Sequence, residues 1–133
     1  MTSRKLIIEK SDEDGLLWGR TLEDDDLIVD SAPTETDLVE QMKQLLYEFH
    51  GVDPNEVVFE IEYDLEAFFQ RFDYLKISKV AELAGLNASL VRQYATGKKY
   101  PGKKQLEKIE SAIQTIGGQL VKLKLLQSAA SSA

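Results

Sequence analysis

Cysteine is absent from the 133-residue chain, which excludes a disulfide framework and any thiolate metal site. His50 is the only histidine, so a His-based zinc site or a Ser-His-Asp triad would rest on a single imidazole. It precedes Gly51 at what reads as a helix end, where a histidine complements the helix dipole. No apolar run approaches the roughly 20 residues of a membrane span. The opening MTSRKLIIEKSDEDG also lacks the apolar stretch of a signal peptide. The chain is therefore expected to be cytoplasmic, with no membrane partner. Positive charge is in the minority: 16 Lys+Arg stand against 23 Asp+Glu, a net −7. Taken whole, that argues against nucleic-acid binding, because phosphates require a positive surface.

The chain does have the composition of a folded protein, with 43% apolar and 29% charged residues. Its length suffices for one ordinary core or two small ones, and is too short for a large cofactor-binding enzyme, so no cofactor is expected. The charge is divided unevenly. Residues 1–64 hold 5 basic and 18 acidic residues, net −13, whereas residues 65–133 hold 11 and 5, net +6. Such a division points to two modules with different partners.

In the first module, Lys5–Glu9 and Leu16–Thr21 are short apolar runs separated by Ser11-Asp12-Glu13-Asp14-Gly15, whose Asp-Gly suits a hairpin turn. Leu27–Asp30 follows the acidic turn Glu23-Asp24-Asp25-Asp26 as a third strand. From Thr34 the period changes: Leu38, Met42, Leu45, Leu46 and Phe49 form a helical stripe, with Thr34 or Thr36 as N-cap and Gly51 as the stop. Val57–Tyr63 alternates as a strand, with Val57, Phe59, Ile61 and Tyr63 on one face. The predicted order is β-β-β-α-β. The two acidic runs lack the alternating ligand spacing of a calcium loop and read as solvated turns, so no metal is expected.

In the second module, Asp64 reads as the N-cap of a helix carrying Leu65, Phe68, Phe69 and Phe72 on its core side. Ser78 is placed to cap a short helix over 79–84 that turns Val80, Leu83 and Ala84 inward. Gly85 breaks it, Leu86 plugs the turn, and Asn87 caps a second helix over 88–95. Two short helices joined by a glycine turn are the plan of a helix-turn-helix. Ala81, Leu86 and Val91 supply the small and apolar contacts it needs. The second helix then exposes Ala88, Ser89, Arg92 and Gln93 as base readers: Arg92 for guanine, Gln93 for adenine, Ala88 for a thymine methyl. Lys98, Lys99, Lys103 and Lys104, four lysines within seven positions, are suited to phosphates, and Lys79 and Asn87 join them as phosphate ligands. A closing helix over 103–116 turns Leu106, Ile109, Ala112, Ile113 and Ile116 inward, and Gly117-Gly118 follows.

Residues 80–101, VAELAGLNASLVRQYATGKKYP, resemble the central signature of the Cro/repressor-type (XRE) helix-turn-helix, in the Ala-Glu-Leu-Ala-Gly brace, the aromatic Tyr94 and the Gly-Lys-x-x-Pro exit. With a β-β-β-α-β module before it, opening on LIIEKSDEDGLLWGRT and entering its helix through SAPTETDL, nearly the whole chain is similar to the HicB antitoxin family. It departs from that family at Ile28-Val29-Asp30-Ser31, where a Gly-Cys-x-Thr stretch is usual. The resemblance implies an N-terminal domain (1–63) that covers a small basic RNA-cleaving toxin of HicA type. It also implies a C-terminal domain (64–118) that binds double-stranded operator DNA of its own operon. The charges agree with this, −13 facing a basic partner and +6 facing DNA.

Beyond Gly118, residues 119–126 alternate: Val121, Leu123 and Leu125 share one face against Lys122 and Lys124, and with Leu120 they read as a strand. It could pair with its copy in a second subunit, giving a homodimer or higher even oligomer, or return to the sheet. Residues 127–133, ending in SAASSA, read as a disordered tail. The expected class is α+β. The expected function is DNA-binding transcriptional repression as a HicB-like antitoxin, with no catalytic residues. Two alternatives stand beside it: a stand-alone regulator whose N-terminal domain oligomerises or binds an unknown ligand, and a metal-dependent nuclease built on the acidic residues.

Overall fold

A hairpin begins the chain: β1 (Thr2–Lys10) turns through the Ser11–Gly15 loop into β2 (Leu17–Glu23). The computed structural model describes residues 2–128. β2 runs directly into β3 (Asp26–Ala32) through Asp24 and Asp25, both left-handed at φ 50° and 65°. Positive φ at both central residues matches the right-handed twist of the strands, so a two-residue loop suffices. The chain then enters α1 (Glu35–His50), capped by Thr34, whose Oγ1 accepts from Asp37 N at 3.2 Å. A single 3-10 turn, Pro54–Glu56, leads to β4 (Val57–Tyr63), which lies parallel to β1. The sheet order is β3-β2-β1-β4, with antiparallel pairing everywhere except β1–β4.

Strand alternation divides the sheet into two faces. Leu6 and Ile8, Leu17, Ile28 and Ala32, and Val57 turn inward onto α1, which contributes Leu38, Met42 and Leu46 to one buried cluster. Thr21, also buried on this side, donates its hydroxyl to Lys5 O at 2.7 Å and so loses no hydrogen bond. Gln41 Nε2 ties α1 to β3 by donating to Asp30 Oδ2 and Ser31 O, both at 2.9 Å.

After Asp64, whose Oδ1 accepts from Ala67 N at 2.7 Å, come α2 (Leu65–Arg71), α3 (Ile77–Ala84), α4 (Ala88–Ala95) and α5 (Lys103–Val121). Phe69, Val80, Ala81, Val91, Tyr94, Ile109 and Ala112 form a second buried cluster. α2 serves both cores, with Ala67 in the first and Phe69 in the second. Edge-to-face contacts of Tyr63 with Phe68 (6.3 Å between centroids) and Phe72 (5.9 Å) add to this joint. The protein is thus α+β, with a mixed four-stranded sheet and five α-helices among the described residues. None of these helices is long and apolar enough to cross a membrane.

Several expectations are corrected. Phe49 of α1 and Leu106 of α5 do not join the inward faces of their helices, being 70% and 43% exposed. Ser78 does not cap α3, which begins one residue before it at Ile77, with Lys76 in the cap position and no side-chain cap bond. Leu83 is 53% exposed, since the inward stripe of α3 is met by Ile77, Val80, Ala81 and Ala84. No strand forms over 119–126: α5 continues through Gly117-Gly118 to Val121, and Leu120 and Val121 are its last turn. Leu123 and Leu125 lie beyond it, in neither helix nor strand. A strand here would have to be brought to a sheet edge to pair, whereas the helix satisfies its own backbone. Two glycines weaken a helix by about 1 kcal/mol each without ending it. Of the expected tail, Gln127 and Ser128 are likewise in neither helix nor strand, and residues 129–133 lie outside the described residues.

Candidate nucleic-acid interface

The corner between α3 and α4 depends on one residue in a left-handed conformation. Gly85, at φ 70° and ψ 30°, directs its N–H back to the Ala81 and Glu82 carbonyls, and Leu86 N donates to Ala81 O at 2.9 Å. A Cβ at that φ would be strained, which explains the glycine. Asn87 then starts α4, its Oδ1 accepting from Ser89 N at 2.8 Å. Val91 and Tyr94 anchor α4 to the second core, with Ala88, Leu90 and Ala95 packed against it, so that Ser89 and Arg92 are left outside.

Of the four proposed base readers, Ser89 and Arg92 are exposed on α4. Ala88 is half-buried and packs against the core. Gln93 is also half-buried, and its Oε1 is enclosed without a hydrogen-bond partner among the described residues. Its carbonyl instead organises the following loop, accepting from Lys98 N at 2.9 Å and Lys99 N at 3.2 Å. Those two bonds hold the exposed Lys98 and Lys99 against the C-terminal turn of α4, a link that sequence spacing alone could not show.

The other cations are arranged less uniformly. Lys103 and Lys104 open α5, exposed, with no acidic residue in its first turn. Cations at the positive end of a helix dipole raise the local potential, which an incoming phosphate would relieve. Lys104 lines a groove beside Leu83 and Ala84 at the end of α3. Lys79 is exposed and pairs loosely with Glu82 at 3.4 Å, so any phosphate must compete with that carboxylate. The Asn87 oxygen is engaged as a cap, leaving its amide NH2 for a ligand. Tyr100, between the lysine pairs and 81% exposed, was not singled out from sequence, yet it stands in the same loop.

Behind α4 lies a feature without a sequence signal. Gly97, at φ 77°, packs so closely on Glu66 of α2 that a Cβ there would collide with the carboxylate. Glu66 is itself buried, 3.7 Å from Lys10 Nζ at the end of β1 and beside the Asp12 carboxyl of the β1–β2 loop. Burial, followed by the neighbouring Asp12 carboxyl, raises the Glu66 pKa. Burial likewise raises that of Asp64, against the backbone N–H bonds it accepts. The loop after α4 is therefore joined to the first hairpin through one buried glutamate.

At the far end of the sheet, His50 closes α1 and its Nε2 lies 2.9 Å from Asp26 Oδ2, so it meets the acidic turn as well as the helix dipole. Among the described residues, no group of three or more His, Asp or Glu is arranged to hold a metal ion. No family model matches the chain, and neither does any curated protein or solved structure.

Proposed function

We propose that the protein is a DNA-binding transcriptional regulator of the HicB antitoxin kind, which neutralises a small basic RNase and represses its own operon. The observation that carries this reading is the α3–Gly85–α4 corner, which leaves Ser89 and Arg92 exposed on an anchored helix whose end is held to Lys98 and Lys99. In a helix-turn-helix such a second helix enters the major groove and the flanking lysines meet phosphates. Arg92 reads guanine, and Ser89 makes the adaptable contact. Gln93 contributes to base reading only if its side chain turns out of the enclosure described above. The acidic residues 1–64 face away from DNA and toward the basic partner. The exposed Leu120, Val121, Leu123 and Leu125 offer an apolar surface through which two copies meet on a palindromic operator. No catalytic role is assigned to any residue.

The test is fluorescence anisotropy with duplex DNA from immediately upstream of the reading frame. Arg92→Ala with Lys98→Ala should weaken binding at least about tenfold, and Lys98→Ala alone should reduce the salt slope by about 1. Equal affinity of wild type and double variant would remove α4 as the reading helix. Co-purification with the product of the adjacent reading frame tests the antitoxin half.

A further inference from the structure

The outer face of the sheet is covered by no element among the described residues, and its side chains are sorted. Pairing register places Leu27 beside Leu22, Arg20 between Val29 and Ile7, and Ser31 beside Trp18, all on that face. Trp18, Leu22, Leu27 and Val29 are 41%, 64%, 56% and 46% exposed. Four large apolar side chains concentrated on one two-stranded ribbon exceed the scattered exposure ordinary for a surface. A cavity of about 190 Å³ opens at Leu22 and Leu27, lined also by Lys5, Ile7, Arg20 and Thr21.

Charge identifies the occupant. The face has two cations, and both are already paired: Arg20 with Glu9, and Lys5 with Glu62 at 3.0 Å. Around the apolar ribbon stand Asp24 and Asp25 in the β2–β3 turn, Glu13 and Asp14 beyond Trp18, and Glu60 on β4, all exposed. Two copies packed face to face would bring these acids against each other, and a nucleic acid would meet them with its phosphates, so both are disfavoured. A basic protein meets neither penalty.

We propose that this outer face is where a basic protein partner docks, placing an apolar side chain in the Leu22–Leu27 cavity and its Lys or Arg residues against Asp24, Asp25 and Glu60. This rests on the reading that the acidic module has a basic protein partner, and adds which surface receives it. The free edge of β3 lies along the same ribbon, so the partner covers an unpaired strand edge as well.

The probe is the small basic product of the adjacent reading frame, titrated calorimetrically into the full chain. Leu22→Ser with Leu27→Ser should weaken binding at least thirtyfold, and Asp25→Lys with Glu60→Lys about tenfold or more. Tyr47→Ser, which removes an exposed side chain on α1 at the opposite side of the sheet, should leave it unchanged. Wild-type affinity in both double variants would overturn the docking face while the basic-partner reading stands. No binding by wild type would overturn that reading and the docking face with it. A fall in sedimentation mass of the isolated Leu22→Ser/Leu27→Ser chain would assign the face to a second copy and overturn the proposal.

Discussion

The two halves of this molecule solve the same burial problem with opposite electrostatics. The sheet half packs long aliphatics, Leu6, Ile8, Leu38, Met42 and Leu46, between a sheet and one helix, and bears net −13 over residues 1–64. The helical half packs small side chains, Val80, Ala81, Val91 and Ala112, between Ile109 and the aromatics Phe69 and Tyr94, and bears net +6 over residues 65–133. Its helices α3 and α4 have only eight residues each, too short to be stable outside a tertiary context. Charge and core thus change together near Asp64, and α2 is the one helix that contributes to both cores.

The sharpest way to break this comparison is to damage one core at a time. Ile109→Ala should cost about 2–5 kcal/mol and Leu46→Ala a similar amount, both residues being fully buried. If the cores are separately stable, hydrogen exchange after Ile109→Ala will rise across α3–α5 and leave β1–β4 protected, with the reverse for Leu46→Ala. A uniform rise in either variant would show one cooperative unit, coupled through α2.

A smaller effect tests the junction. Gly97→Ala should destabilise by about 1–3 kcal/mol, from its positive φ and the collision with Glu66. Urea denaturation measures this, and pairing the change with Glu66→Ala should recover the collision but not the backbone strain.

The same glutamate has a pH signature of defined sign. Because the folded chain raises the Glu66 pKa above its ordinary 4.5, it holds that proton more tightly than the unfolded chain does. The ionised form therefore costs stability at neutral pH. That cost is relieved as pH falls through the raised value, with no further change below 4.5. Asp64, raised by burial, acts in the same direction. Subtracting the urea-derived stability of Glu66→Gln from that of wild type should give a difference that favours wild type increasingly as pH falls over this window. A flat difference would mean that Glu66 is not desolvated. The smallest effect is expected at the β2–β3 turn, where Asp25→Gly should stabilise by about 0.5–1 kcal/mol, measured as a rise in Tm, because Asp25 adopts φ 65°.

Much of this architecture is legible in the residues because its signals are local. The alternation of Val57–Tyr63, the stripe of Leu38, Met42 and Leu46, the cap at Asn87 and the turn at Gly85 each depend on neighbours within a few positions. Where local pattern misled, the competing term was not local. The alternation over 119–126 looked like a strand, but a strand requires a partner ladder, and the helix of Ile109 and Ile113 simply continued. Leu83 was read into an inward stripe that Ile77, Val80, Ala81 and Ala84 complete without it. Gln93 looked like a solvent-facing reader until the packing of α4 enclosed its side-chain oxygen.

The sequence by itself determined the α+β class, the order of the strands and first helix, and the division of charge, since periodicity, caps and charge counts are properties of the chain. Only the tertiary structure decided that Glu66 meets Lys10, Asp12 and Gly97. It alone placed Lys98 and Lys99 against the end of α4 and left Trp18, Leu22, Leu27 and Val29 on an uncovered face. These are relations between residues far apart in the chain or between faces of a sheet. They arise when the strands pair and the helices choose which side to cover, a choice that no local pattern encodes.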